Sequence, residues 1–135
     1  MLADLGPINQ LTSRIIKAAI EVHRTLGPGL LESVYAACLV YELTRDGLTV
    51  QCEQRFPVVY KGVTLACFYK LDLVVDGTVV VELKALEKVL SVHEAQLLTQ
   101  MKLAHKPVGL LLNFNVPVMK DGITRLLNKE ALEKG

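Results

Sequence analysis

The chain has 135 residues, a formal net charge of +1 and a composition that is 51% hydrophobic. That length suits one domain, taken as residues 1–135, and the apolar share excludes a disordered chain. The near-neutral balance excludes bulk attraction to nucleic acid and leaves room only for a local basic patch.

Only 5% of the residues are aromatic and none is tryptophan, so the core must be built from Val, Leu, Ile and Ala. The longest apolar run, VYAACLVY, is too short to span a bilayer, so no membrane partner is expected. The start, MLADLGPINQL, lacks the basic and apolar stretches of a signal peptide. Cys38, Cys52 and Cys67 form no CxxC and no zinc-ligand spacing. They read as small buried hydrophobes in a reducing cytoplasm, which is the expected location.

Leu11, Ile15, Ala18, Val22 and Leu26 recur at spacings of three and four and predict a helix over 8–26. LGPGL interrupts it. Leu31, Val34, Cys38, Leu39 and Leu43 predict a second helix over 30–46, stopped by Asp46-Gly47. The texture then changes to TVQCEQRFPVVY, a KG turn, VTLACFYKLDLVV, a DG turn and TVVVELK, which read as successive strands. SVHEAQLLTQMKLAH predicts a helix over 91–105 with Ser91 as its N-cap. PVGLLLNF suits a buried strand, GITRLL a last strand and NKEALEKG a short helix. The middle strands should run antiparallel. The strand after helix 91–105 can return parallel to an earlier one. The expected class is α/β, with a mixed central β-sheet flanked by helices.

One strand is unusual for its charges. In VVVELKA, side-chain alternation puts Val79, Val81 and Leu83 on one face and Val80, Glu82 and Lys84 on the other. Asp72 lies ten residues before Glu82 on the preceding strand. A plain two-residue Asp76-Gly77 turn would set Asp72 and Glu82 on opposite sides of the sheet. A three-residue connection, or one bulge, would bring them together. The cost of stranding Asp72 among apolar side chains favours the odd-length connection. Two adjacent carboxylates repel, and a hard divalent cation relieves them. With a lysine on the same face, the set suits metal-assisted phosphodiester hydrolysis. The competing reading is a solvated hairpin whose charges face water.

LDLVVDGTVVVELKA resembles the core of the PD-(D/E)XK nuclease superfamily, an Asp followed about ten residues later by ExK. VHRTLGPGLLESVY carries Gly29, Glu32 and Tyr35, the Gly-x-x-Glu-x-x-Tyr signature of the bacterial GxxExxY proteins. PVVYKG, HEAQLL and GLLLNF match as well, so the resemblance runs over roughly residues 8 to 127. It implies a restriction-endonuclease-like core and a Mg²⁺- or Mn²⁺-dependent nuclease acting on DNA or RNA. It further implies Asp72 and Glu82 as metal-binding acids and Lys84 as the catalytic lysine. Glu32 is the acid that the leading helix contributes, directly or through water. Gln96 is the glutamine of a QxxxY motif whose tyrosine is here replaced by Gln100.

Without the resemblance, Glu32 would read as a favourable charge in a first helical turn. Tyr35 reads as a core side chain with a tethered hydroxyl. His23 reads as structural. An alternative function keeps the nuclease fold as a binding module that recognises nucleic acid or a protein without cleavage. Self-association through apolar helix faces or an edge strand is a further expectation.

Overall fold

A computed structural model describes residues 5–134. The expected ends of the domain at 1 and 135, and of the last helix at 135, fall outside them. In chain order the elements are helix α1 (Gly6–Leu26), helix α2 (Glu32–Arg45), strands β1 (Val50–Tyr60), β2 (Val63–Val75) and β3 (Val79–Lys84), and helix α3 (Ser91–Leu103). Then come β4 (Val108–Asn113), a short 3-10 helix (Met119–Gly122), β5 (Ile123–Leu127) and helix α4 (Lys129–Lys134).

The strands form one five-stranded sheet in sequence order. All neighbours are antiparallel except β3 and β4, which run parallel. Parallel neighbours need a long crossover, and α3 provides it. The sheet is mixed and flanked by helices, as the sequence predicts.

Alternation sorts the strands between two cores. Val79, Val81 and Leu83 of β3 join Leu110 and Leu112 of β4 against Ile15, Val22, Tyr35 and Leu39 of α1 and α2. Val80 and Leu111 join Val74 against Leu97 and Met101 of α3. The sheet is therefore buried on both faces at its centre, which is why its inner strands are almost wholly apolar.

The periodicity reading of α2 holds at Leu39 and Leu43 and fails at the start of the helix, at Leu31 and Val34. Its buried residues are Tyr35, Leu39 and Leu43, whereas Leu31 is 74% exposed. Apolar residues ring this helix, so spacing alone sets its phase weakly. Tyr35 sets it instead. Its ring stacks on Phe114 at 4.5 Å. Its O–H donates to the Gly27 carbonyl at 2.6 Å, and its oxygen accepts the Leu30 N–H at 3.1 Å. The residue anchors the turn that precedes Glu32, the tethered-hydroxyl role expected of it. Tyr35→Phe should cost about 1–3 kcal/mol by leaving both backbone groups unpaired. Urea unfolding of the two proteins checks this, and equal midpoints would remove the anchor role.

Two other expectations change. Ser91 is the first residue of α3, and Leu90 stands at the N-cap. The Leu90 N–H is met by Nδ1 of His93 at 2.9 Å, so a histidine one turn in does the capping. The cysteines are not buried: Cys38 is half-buried, and Cys52 and Cys67 are exposed. Cys38 lies on α2 and Cys52 on the sheet's edge strand, opposite Leu73; for Cys67 the reason lies in β1 and β2. They pair with each other along most of their length, but β2 meets β3 only at Leu73, Val74 and Val75. The remainder projects as a two-stranded arm with residues 61–68 open to solvent. No helix among the described residues is long and apolar enough to cross a membrane.

Candidate active site

The connection between β2 and β3 decides where the acids point. Asp76 and Gly77 have φ of 49° and 64°, the left-handed pair that a type I′ turn requires. The Thr78 N–H closes that turn on the Val75 carbonyl at 3.0 Å. Thr78 is then an extra residue, so Val75 faces Val79 and Leu73 faces Val81. Continued one step, this register sets Asp72 level with Glu82. The turn that the dipeptide favours and the odd-length connection that the charges favour are both present.

Beyond Leu73 and Val81 the two strands part. Glu82 and Lys84 keep β4 neighbours, Leu111 and Asn113, on one side only. On the open side, Oδ2 of Asp72 accepts the Leu83 N–H at 3.1 Å, in place of a ladder carbonyl. Asp72 thus sits at the fork between β2 and β3. The backbone is irregular at this level on the next strand too. Glu53 of β1 has φ of 50°, a left-handed conformation that glutamate rarely adopts, and such strain gathers at functional sites. Leu71 packs with Val74 and Val80 on the α3 side, while Leu73 packs on the α1 and α2 side, so alternation breaks around Asp72.

Glu82 is half-buried in the fork. Burial pushes its carboxyl up to about 8; the adjacent Asp72 charge pushes the same way, Lys84 opposes, and Glu32 adds a smaller upward push. One carboxylate oxygen, Oε2, is buried without a hydrogen-bond partner. Lys84 is half-buried, and among the described residues its ammonium forms no salt bridge. Glu32 opens α2 and is exposed, lining the same cleft as Asp72. Gln96 is exposed on α3 and lines a separate groove with Tyr69 and Gln100. The fold brings Asp72, Glu82 and Lys84 together, sets Glu32 beside them and places Gln96 along another surface.

One contributor went unassigned in the sequence reading. Asn113 is 2% exposed at the end of β4. Its Oδ1 accepts the Leu86 N–H at 2.9 Å, and its Nδ2 donates to the Leu86 carbonyl at 2.9 Å. The Phe114 N–H meets the Lys84 carbonyl at 2.9 Å. These bonds extend the β3–β4 pairing past its end and fix the chain on the far side of Lys84. The signal was a polar residue inside the apolar run GLLLNF. His23, by contrast, is structural as expected: its Nε2–H donates to the Val116 carbonyl at 2.7 Å.

The family model of the PD-(D/E)XK nuclease superfamily matches residues 9–126. The chain belongs to the PD-(D/E)XK nuclease superfamily. Comparison with curated proteins and with solved structures gives no significant match. The mixed sheet with its flanking helices is the PD-(D/E)XK core, and membership gives a nuclease-type function in general terms. PD-(D/E)XK nucleases typically use divalent metals. The donor set here fits one, because Asp72 and Glu82 offer hard oxygens and the orphaned Oε2 of Glu82 lacks the partner a cation would supply. Among the described residues no group of three or more His, Cys, Asp or Glu could enclose an ion. Glu32 therefore does not complete a three-carboxylate cage, and water and substrate oxygens would fill the remaining positions, as is usual for Mg²⁺.

Proposed function

We propose that this chain is a Mg²⁺- or Mn²⁺-dependent nuclease of the GxxExxY branch, hydrolysing phosphodiester bonds of DNA or RNA in the cytoplasm. The observation that carries the reading is the fork, where Glu82 is held half-buried beside Asp72 with one oxygen unpartnered. A fold gains no stability from two acids kept that close, so the arrangement suits a cation and its substrate.

Asp72 and Glu82 would hold the ion, with the Leu83 carbonyl beside them. When bound, the cation supplies charge neutralisation and acidifies its water. Asp72 is oriented by the Leu83 N–H. Lys84 shares a strand face with Glu82 and donates from its ammonium to a phosphate oxygen or to the attacking water. Glu32, at the mouth of the fork, orients water. Gln96, on the α3 side, contacts the substrate strand rather than the acids.

Cleavage of single- and double-stranded DNA and RNA with Mg²⁺ or Mn²⁺ tests this. Lys84→Ala and Asp72→Asn should each lower the rate on the order of 100-fold or more. Activity that survives both substitutions would belong to a contaminant. Inactivity on every substrate would favour the binding module, for which Gln100 in place of the motif tyrosine speaks.

A further inference from the structure

Along the arm, the edge of β2 that faces away from β1 has no strand beside it among the described residues. Such an edge is a template for another strand. The outer edges of the sheet are blunted against that. β1 carries Arg55, Pro57 and a bulge between Pro57 and Val59, and β5 is only five residues long with Arg125 at its middle. Charge, proline, bulges and shortness all discourage pairing. The open edge of β2 has none of them. Its run VTLACFY, Val63 to Tyr69, holds no charge, proline or glycine, and its large apolar residues Val63, Leu65 and Phe68 are exposed.

The segment is its own complement. An uncharged strand can lie antiparallel on its copy across a two-fold axis with no like charges opposed. Centred on Ala66, that pairing sets Val63 level with Tyr69, Thr64 with Phe68 and Leu65 with Cys67 of the second copy. The arm is stabilised by it, because a lone two-stranded hairpin is marginal in water and two arms edge to edge make four strands. Val59, Tyr60, Val63, Leu65 and Phe68 are between 41% and 62% exposed, and together they offer roughly 500 Å² of apolar surface. A stable pair buries about 800 Å² per partner, roughly three-fifths of it apolar, so the arm offers enough. Nucleic acid fits this edge less well. The cations that flank it are engaged, Lys61 over the Tyr60 ring and Lys70 with Glu53. We propose that the open edge of β2 is a dimer interface, joining two copies of this chain by antiparallel pairing of Val63–Tyr69. The pairing ends before Asp72 and leaves each fork open. It stands whether or not the fork cleaves nucleic acid.

Sedimentation equilibrium of the unaltered chain, over a dilution series without nucleic acid, should give twice the 14.9 kDa of one copy, with a Kd on the order of 1 µM. Leu65→Lys combined with Phe68→Lys should weaken the pair at least about 100-fold, because lysines block an edge. Both positions are exposed, so circular dichroism of this variant should remain that of a folded chain. Val92→Lys, on the exposed apolar side of α3, should leave the dimer intact. Hydrogen exchange of the unaltered chain reads the same edge without any substitution. Alternate amides over 63–69 should gain protection as concentration rises, while those of β5 should not. A monomer at every concentration, a dimer that survives the double substitution, or one dissolved by Val92→Lys overturns the inference. Exchange over 63–69 that ignores concentration, open-ended growth in place of a closed pair, or association only when nucleic acid is added overturns it too.

Discussion

Glu82→Gln is expected to make the metal-free protein more stable than the unaltered chain above pH 8, by on the order of 4 kcal/mol, and to abolish its cleavage of nucleic acid. The folded-state pKa of Glu82 is raised to about 8 from an ordinary value of 4.5. Between those values the folded state holds more protons than the unfolded state, so stability falls as pH rises. The favourable contribution is complete below the unfolded pKa and lost as pH passes the folded one. Glutamine is uncharged throughout and keeps the low-pH level. Denaturant melts at a series of pH values in EDTA measure the difference. Parallel curves for the two proteins would show that Glu82 titrates normally. Added Mg²⁺ should stabilise the unaltered chain increasingly as pH rises, because binding displaces a proton, and this gain should be absent from Glu82→Gln.

Gly122→Ala should destabilise the protein by about 2–4 kcal/mol. A Cβ at Gly122 would collide with the backbone carbonyl oxygen of Asn113, which cannot swing aside as a flexible side chain would. Gly122 closes the short 3-10 helix and is buried against the end of β4. The collision therefore falls on the residue whose side chain holds Leu86. Thermal unfolding should show the loss directly. Cleavage measured well below the melting temperature should also fall, because the segment after Lys84 loses its brace. An unchanged melting temperature would mean that the 3-10 helix shifts freely and Asn113 needs no fixed neighbour.

Local chemistry made much of this fold legible. β-Branched runs separated by KG and DG marked β1, β2 and β3, and the cost of burying Asp72 was enough to choose the three-residue connection. The spacing of Asp72, Glu82 and Lys84 alone also suited a solvated hairpin, and the superfamily became readable only with the Gly29, Glu32 and Tyr35 signature and the matches that follow it. What escaped depended on distant partners. Cys52 is exposed because β1 is the edge of the sheet, and Cys67 because β2 outruns β3 and leaves an arm in solvent, neither of which the sequence shows. Leu39 and Leu43 of α2 were read correctly, but Leu31 and Val34 were not, because the first turn is set by Tyr35 reaching Gly27, Leu30 and Phe114. Ser91 lost the cap to His93, a choice between two neighbouring side chains that a consensus cannot make. Asn113 acts only through the parallel register of β4 with β3, which residue spacing does not reveal.

The strand order has a consequence for how the protein is made. Each strand's sheet neighbours are its neighbours in sequence, so β1, β2 and β3 can zip together while the chain is still leaving the ribosome. The acids at the fork are thus in place early, whereas β4, which supports them, is translated after α3. A nascent chain halted before β4 would carry Asp72, Glu82 and Lys84 without the strand that holds β3 still, so the sheet gains its working geometry only once β4 has emerged.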